Sequence, residues 1–290
     1  MKIKIVFFIV AFLLNATNIQ SANESELARP ANFYSINQIK SETYLEQAYS
    51  KYQNAEYQEA LNLVNLAINA DTKNFEAYYL RGLINAKLNA SFSLIFEDFN
   101  KYLQNNPEQK KLAIAYRTMA LCCAKAKDYT KAIEYYNYLL DNFLAENMDY
   151  LNLGKCFYNI KDYKNADTTF ATFNTLQPDN IQGFIWRART KSNIDLKDSL
   201  GFNITGYAVQ LFEGVIQKTQ VDTVKFIKER FESFDYLAFY HYSQFSRDQK
   251  LKFEAEKALN YYIRMRSTNP NDEKILLVKP LIETLRTKIK

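Results

Sequence analysis

Three segments of the chain place a small residue at the same interval. Residues 117–125 read RTMALCCAK, residues 150–158 read YLNLGKCFY and residues 184–192 read FIWRARTKS. From one segment to the next, the small residues are 34 positions apart: Ala120, Gly154 and Ala188. A fixed period of this length is typical of chains built from stacked helix pairs, because each pair exposes an apolar face that only the next pair covers.

A second series of small residues runs in phase with the first. Ala132 in DYTKAIEYY and Ala166 in DYKNADTTF are 34 residues apart, and each follows a member of the first series by 12 residues. Nearer the N-terminus, Ala48 and Ala60 show the same 12-residue step, and Gly82 lies 34 residues after Ala48. Small residues at two such positions let neighbouring helix axes approach to about 8–10 Å where they cross. The spacing therefore predicts pairs of packed helices.

These residues resemble the tetratricopeptide repeat (TPR), whose pattern has small residues at positions 8 and 20, an aromatic residue near 24 and Pro near 32. The resemblance implies an all-α fold, a right-handed α-solenoid of about six TPR-like helix pairs plus a C-terminal capping helix. In each pair, the aromatic residue of the second helix fills the space beside the crossing. On this frame the aromatic residues are Tyr136, Phe170, Phe212 and Tyr262, and the closing prolines are Pro107, Pro178 and Pro270.

The period is stretched in three of the units. Gly82 and Ala120 are 38 residues apart and Ala188 and Ala238 are 50 apart, so extra residues fall in the second unit and across the fifth and sixth. Because Ala258 follows Ala238 by 20 residues rather than 12, the sixth unit is expected to have a long turn between its helices. The predicted units are residues 41–74, 75–110, 113–146, 147–180, 181–220 and 222–271, followed by the capping helix at 272–288.

The two ends of the chain differ from the repeats. Two lysines precede an apolar run at residues 5–14, so residues 1–22 are predicted to be a signal peptide that exports the protein to the periplasm or the cell exterior. Ten apolar residues are too few for a stable membrane span, which needs about 20. Residues 23–40 form a polar lead-in that is expected to be flexible. The capping helix is expected to turn an apolar side to unit 6, formed by Ile275, Leu276, Leu281, Ile282 and Leu285.

The composition favours neither catalysis nor nucleic-acid binding. The single His, His241, lies where the repeat packs an aromatic side chain, and a nucleophilic triad would have to use it. Cys122 and Cys156 occupy equivalent positions on neighbouring helices, too far apart for a disulfide, so they and Cys123 are predicted to be buried small hydrophobes. The formal net charge is +5 without a basic run. We therefore expect no enzyme, no cofactor, no metal site and no nucleic-acid partner.

The resemblance also implies where a partner binds, because in tetratricopeptide proteins the first helix of each pair lines a concave groove through positions 2, 5, 9 and 12. A lining of Tyr, Arg and Leu suits an extended peptide or a helix of a partner protein. Alternatively, the solenoid curls tightly and buries some of these tyrosines between repeats. The candidate groove residues are Tyr49, Tyr52, Tyr79, Leu83, Arg117, Leu121, Leu151, Lys155, Tyr158, Ile185, Arg189, Phe239 and Tyr242.

The implied function is a non-enzymatic, exported interaction scaffold or adaptor that binds a partner peptide or helix of unknown identity. The family's carboxylate clamp, with Lys at position 5 and Asn at positions 9 and 12, is not matched, because Arg117 is the only cation at position 5 and no Asn accompanies it. A surface carbohydrate-binding protein built on the same repeats is the alternative. The sequence leaves the oligomeric state open.

Overall fold

The computed structural model describes residues 35–199, 201 and 203–289, and it confirms an all-α fold over these residues. The predicted signal peptide and residues 23–34 of the predicted lead-in lie outside the described residues. The thirteen helices in the described part of the chain are α1 (Ile36–Gln53), α2 (Tyr57–Ala70), α3 (Phe75–Lys87), α4 (Phe92–Leu103), α5 (Gln109–Lys125), α6 (Tyr129–Asp141), α7 (Asn147–Asn159), α8 (Tyr163–Leu176), α9 (Ile181–Ile194), α10 (Val209–Lys218), α11 (Ile227–Arg247), α12 (Lys252–Thr268) and α13 (Glu273–Ile289).

The helices form six pairs and one final helix. In each pair the first helix, called helix A, packs along the second, called helix B, and helix B packs on helix A of the next pair. The A helices of the first five pairs, α1, α3, α5, α7 and α9, also contact one another in succession. The last helix, α13, packs on α12. The predicted solenoid of helix pairs is therefore confirmed.

Glycines allow the closest approach of helix A to helix B. A Cβ atom on Gly82 would lie 3.0 Å from Cε1 of Phe99, and one on Gly154 would lie 2.6 Å from Cε1 of Phe170. Both rings belong to helix B of the same unit and are fully buried. Because favourable carbon–carbon contacts are about 3.5–4.0 Å long, the ring of Phe170 leaves no room for any side chain at residue 154.

The turn from helix A to helix B has one conformation in the first four units. Ala55, Asn89, Lys127 and Lys161 have positive φ angles of 61°, 54°, 65° and 65°, and each lies seven residues after the small residue of helix A. A left-handed residue ends a helix by turning its N–H back to the last carbonyls, as Lys127 N does to Ala124 O at 3.1 Å. The first four units therefore share the same connection between helix A and helix B.

Helix α1 begins earlier than predicted. Residues 36–40 are helical rather than part of a flexible lead-in, because Ser35 and Gln38 form a capping box. The Ser35 N–H donates to Gln38 Oε1 at 2.7 Å, and the Gln38 N–H donates to Ser35 Oγ at 3.2 Å. These two bonds satisfy N–H groups that the start of a helix leaves without partners.

The predicted long turn of the sixth unit is wrong. Helix α11 has 21 residues and α12 begins at Lys252, so only residues 248–251 join them. The extra residues lengthen the helices because an apolar side chain at helical spacing, Phe245, continues the buried face of α11. In α13 the buried positions are 275, 278, 282 and 285, so Leu276, expected in the interface, faces solvent and Val278 takes its place.

The extra residues of the fifth unit lie in the connection between α9 and α10, residues 195–208, and one carboxylate holds the part of it that the structure describes, which is all but residues 200 and 202. Asp195 is buried and accepts hydrogen bonds from the N–H groups of Thr205 and Gly206, both at 2.9 Å, and from the Thr205 hydroxyl. Arg247 at the end of α11 binds Asp198 at 2.8 Å. The connection is therefore fixed both to the end of α9 and to α11.

Candidate binding surface on the A helices

Three of the predicted groove residues are buried in the core, and their assignment to an open surface is wrong. Tyr79, Leu151 and Ile185 are 3%, 1% and 0% exposed. All three occupy position 5, three residues before the small residue at the crossing, so they share its inward face of helix A. The Tyr79 ring, for example, lies 4.8 Å from the ring of Tyr102 in its own unit. Tight packing of Tyr79 is the alternative that the sequence left open.

Arg117 is also at position 5, and it joins two units instead of facing a partner. Its Nε and Nη2 atoms each donate to the Asp149 carboxylate at 2.8 Å, and Nη2 also donates to Leu144 O at 3.1 Å. Asp149 is fully buried at the start of α7. The pair therefore fixes α5 against the N-terminus of α7, a structural role that the repeat pattern did not reveal.

Four predicted residues remain partly accessible in the N-terminal half. Leu121 is 46% exposed, and Tyr49, Tyr52 and Leu83 are half-buried. The Tyr49 hydroxyl donates to Glu76 at 3.4 Å, and Glu76 also binds Lys111 at 2.5 Å. The carboxylate of Glu76 is therefore already paired with a cation of the next unit.

In the C-terminal half, three predicted residues meet around a cavity of about 610 Å³. Tyr158 from α7, Arg189 from α9 and Phe239 from α11 all line it, and Phe239 is 43% exposed. Tyr242, by contrast, is half-buried against the C-terminal core and does not line the cavity. The other lining residues are Ser192, Asn193, Lys197, Gly201, Asn203, Phe212, Glu232, Asp235, Tyr236, Tyr240, Ser243, Lys274, Leu277, Val278 and Leu281. We call this space the C-terminal cavity.

Beside the C-terminal cavity, the only Trp of the chain organises a cluster of predicted residues. The Trp186 ring lies 5.3 Å from the Tyr158 ring, 5.5 Å from Lys155 Nζ and 4.6 Å from Arg189 Cζ. Cations over an indole face are attracted by its ring electrons. The sequence analysis did not include Trp186 among the groove residues. Its place directly after the candidate residue Ile185, as the only Trp of the chain, could have identified it.

The 195–208 connection and the capping helix supply the remaining walls of the C-terminal cavity. Asn203 of the connection donates from Nδ2 to Ser192 Oγ at 3.2 Å and to the Tyr236 hydroxyl at 3.3 Å. From α13, Leu277 and Leu281 face the cavity from the other side. The space therefore exists because the fifth unit departs from the 34-residue period.

Charged groups around the C-terminal cavity are mostly neutralised in pairs. Arg189 donates from Nε and Nη2 to the two Glu232 oxygens at 2.7 and 2.6 Å, and Lys274 binds Asp235 at 2.5 Å. The rest of the lining combines aromatic and aliphatic side chains with those of Ser, Asn and Lys. Such a site can take an apolar group and hold its polar neighbours with hydrogen bonds.

The chemically reactive side chains lie elsewhere. His241 is buried and its Nδ1 is hydrogen-bonded to Glu254, consistent with the predicted structural role. The three cysteines are free thiols, Cys123 and Cys156 buried and Cys122 partly so; burial raises the pKa of Cys123 to about 12 and that of Cys156 to about 11. Within the described residues no group of His, Cys, Asp and Glu is arranged to hold a metal ion.

Among the helices that the structure describes, none combines the length and the apolar character that a membrane crossing requires. The sequence matches no protein-family model and no curated protein.

Solved structures with the same repeat resemble this chain over much of its length. The C-terminal part of a TPR repeat-containing protein from Cytophaga hutchinsonii is 19% identical, with a TM-score of 0.50 over 80% of this chain and 98% of that one. PilW, a type IV pilus biogenesis factor, is 18% identical, with a TM-score of 0.52 over 82% and 97%. YrrB, a TPR protein with an unusual peptide-binding site, is 18% identical, with a TM-score of 0.51 over 62% and 86%. Together with the repeat spacing and the stacked helix pairs, these likenesses show that the chain has the fold of the tetratricopeptide-repeat proteins.

Proposed function

We propose that this protein is a non-enzymatic interaction scaffold that binds a segment of a partner protein in the C-terminal cavity. The observation that carries this proposal is the cavity itself, about 610 Å³ in volume and lined by Tyr158, Arg189 and Phe239. Its size lies within the range of about 300–1,000 Å³ that is usual for ligand sites. Tyr and Arg are also the residue types that often dominate binding energy at interfaces.

The site suits a peptide segment better than a flat protein surface. Its walls come from five helices and one connection, so a partner chain can pass along the A helices while one of its side chains enters the cavity. YrrB, which has a similar fold, is named for a peptide-binding site, and this supports a peptide as the ligand. The net charge of +5 without a basic run favours a protein partner over a nucleic acid.

The partner is proposed to lie outside the cytoplasm. The support is the sequence pattern of residues 1–22, two lysines followed by a ten-residue apolar run, together with the pilus-biogenesis role named for PilW. Cell fractionation followed by N-terminal sequencing of the purified protein tests this part of the proposal. A periplasmic or extracellular chain that starts near residue 23 is the expected result, and a cytoplasmic chain that retains residues 1–22 would refute it.

A carbohydrate is the second candidate ligand because of the mixture of aromatic and amide groups in the C-terminal cavity. Tyr236 and Tyr240 offer ring faces, and Asn193 and Asn203 offer amide groups near them. Sugars combine apolar ring faces with hydroxyl groups, so such walls suit them. Binding on a glycan array, abolished by Tyr240→Ala, would favour this reading over the protein scaffold.

A cross-linking pull-down from an envelope fraction tests the scaffold proposal when it is run with matched variants. Phe239→Ala removes an aromatic wall of the C-terminal cavity, whereas Phe253→Ala removes a comparably exposed ring on α12 that does not line it. We expect Phe239→Ala to lower recovery of the partner by about tenfold, the effect of losing one well-packed contact residue. Phe253→Ala should leave recovery unchanged. Equal recovery with both variants would contradict the proposed site, provided that their thermal unfolding curves match the wild type.

A further inference from the structure

No ion pair joins Lys155 to a carboxylate among the described residues, in contrast to three other half-buried cations of the A helices. Arg117 binds Asp149, Lys111 binds Glu76 and Arg189 binds Glu232, each at 2.8 Å or less. Lys155 is half-buried on α7, where its ammonium group lies 5.5 Å from the centre of the Trp186 ring. Holding an unpaired cation away from water costs free energy.

A second cation increases this cost. Arg189 lies over the same indole ring at 4.6 Å, so two positive groups share one small area. Burial, and then the neighbouring Arg189, lower the pKa of Lys155. Both carboxylate oxygens of Glu232 already accept hydrogen bonds from Arg189. The cluster of Lys155, Trp186 and Arg189 therefore lacks one negative charge.

Tyr158 adds a hydrogen-bond donor at the same place and joins the cluster to the C-terminal cavity. It is one helical turn after Lys155 on α7, its ring contacts Trp186 at 5.3 Å, and its hydroxyl accepts from Asn193 Nδ2 at 3.2 Å. Because the hydroxyl oxygen is the acceptor in this bond, the phenol proton can be donated to an anion. Since Tyr158 and Arg189 also line the C-terminal cavity, a group bound to Lys155 would lie at its edge.

We propose that the partner segment carries a carboxylate side chain that binds Lys155 and Tyr158, next to a large apolar side chain that enters the C-terminal cavity. This inference rests on the proposed function and names the chemistry that the site selects. The apolar anchor follows from walls such as Phe212, Leu277 and Leu281.

The carboxylate is favoured over a phosphate group by the charge of the cluster. After the Arg189–Glu232 pair is counted, one positive charge remains, and a carboxylate supplies one negative charge. A phosphorylated side chain would bring about 1.5 to 2 negative charges beside Glu232. Salt bridges of this kind, shielded on one side by an aromatic ring, are charge-assisted hydrogen bonds of above-average strength.

The experiment begins with selection of phage-displayed random peptides on the full chain. The selected peptide and its acid-to-amide version, with Glu changed to Gln or Asp to Asn, are then titrated against the protein. Trp186 is the only Trp, so its fluorescence reports binding at the cluster directly. We expect an acidic residue close to a large apolar residue in the selected peptides, and an affinity about tenfold weaker for the amide version.

Three variants make the test specific. In Lys155→Met, which keeps the aliphatic contact with Trp186, both peptides should bind with the same reduced affinity. Lys155→Arg should still distinguish acid from amide, and Lys164→Met, an exposed lysine on α8, should behave as wild type. Thermal unfolding of each variant shows whether the fold is intact.

The outcomes separate this inference from the proposed function. Selection of peptides without an acidic residue, or unchanged discrimination between acid and amide in Lys155→Met, overturns the role of Lys155 and leaves the binding scaffold in place. If a phosphorylated peptide binds more tightly than its carboxylate counterpart, the assigned chemistry is wrong. Failure to enrich any peptide that binds the full chain overturns the proposed function and this inference together.

Discussion

The first four units and the last two use the same helix pair differently. In units 1 to 4, a left-handed residue sits seven positions after each small residue, so the turn from helix A to helix B has one conformation. In units 5 and 6, the 195–208 connection and the 21-residue helix α11 interrupt that pattern. The C-terminal cavity lies in the interrupted region. The regular repeats pack into buried clusters, and the cavity that we propose as the binding site occurs where the regularity is interrupted.

The two regions also use ion pairs differently, and replacing one arginine in each region should show it. Arg117→Met leaves the fully buried Asp149 without its partner, and we expect a loss of about 3–5 kcal/mol in the free energy of unfolding. Arg189→Met removes a partner from Glu232, which is about one-third exposed, so the expected loss is about 1 kcal/mol or less. Urea denaturation measures both. Equal losses would contradict the structural role assigned to Arg117.

In units 1 to 4, short turns fix how helix A connects to helix B. In unit 5, Asp195 has this role, because its carboxylate holds the 195–208 connection. Asp195→Ala removes the acceptor of several hydrogen bonds within residues 195–208, and we expect a loss of about 2–3 kcal/mol. Hydrogen exchange should become faster in this connection and stay unchanged in α1–α6. Asp198→Ala, which removes the bridge to Arg247 and leaves the Asp195 hydrogen bonds in place, is the milder control. Uniform acceleration along the chain would show that the connection does not open independently.

Two glycines should respond to alanine with opposite signs. Gly154→Ala places a Cβ atom 2.6 Å from the buried Phe170 ring, and the overpacking should cost about 1–3 kcal/mol. Gly214 in α10 has no atom within 4 Å of such a Cβ, so Gly214→Ala should stabilise the protein by about 0.5–1 kcal/mol through helix propensity. Thermal unfolding measures the difference. A stabilising Gly154→Ala would disprove the tight crossing in the regular half.

The smallest expected effect concerns the turn of the regular units. Lys127 has a φ of 65°, a conformation that suits glycine, so Lys127→Gly should stabilise by about 0.5–1 kcal/mol. The same change at Lys131, inside α6, should destabilise by about 1 kcal/mol. Chemical denaturation of the two variants gives the comparison. Destabilisation by both would mean that the left-handed turn is not maintained in solution.

The sequence predicted the helix pairs because their crossing needs small residues at fixed positions, and Ala120, Gly154 and Ala188 mark those positions. It did not predict which groove residues are accessible. The repeat positions placed Tyr79, Leu151 and Ile185 on an open face, but each lies three residues before a small residue and therefore shares its buried face. At the other groove positions, the exposed fraction depends on packing between units, which the pattern of one helix does not record.

The candidate site was predicted in part. Lys155, Tyr158, Arg189 and Phe239 were found by their repeat positions, and the structure brings them to one region. The cavity itself was not predictable, since it depends on residues 195–208, whose fold rests on Asp195 accepting from backbone groups about ten positions later. No short-range pattern encodes such a contact. Arg117 was misassigned for the same reason, because its partner Asp149 is 32 residues away.

Hydrogen–deuterium exchange of the full chain, with and without a saturating amount of the peptide selected on it, tests most directly whether the interrupted region is the binding surface. The account predicts that binding slows exchange in α7, α9, α11 and residues 195–208, where the walls of the C-terminal cavity lie. The exchange of α1–α4 should stay the same. Slower exchange confined to α1–α5, with residues 195–208 unaffected, would contradict the account.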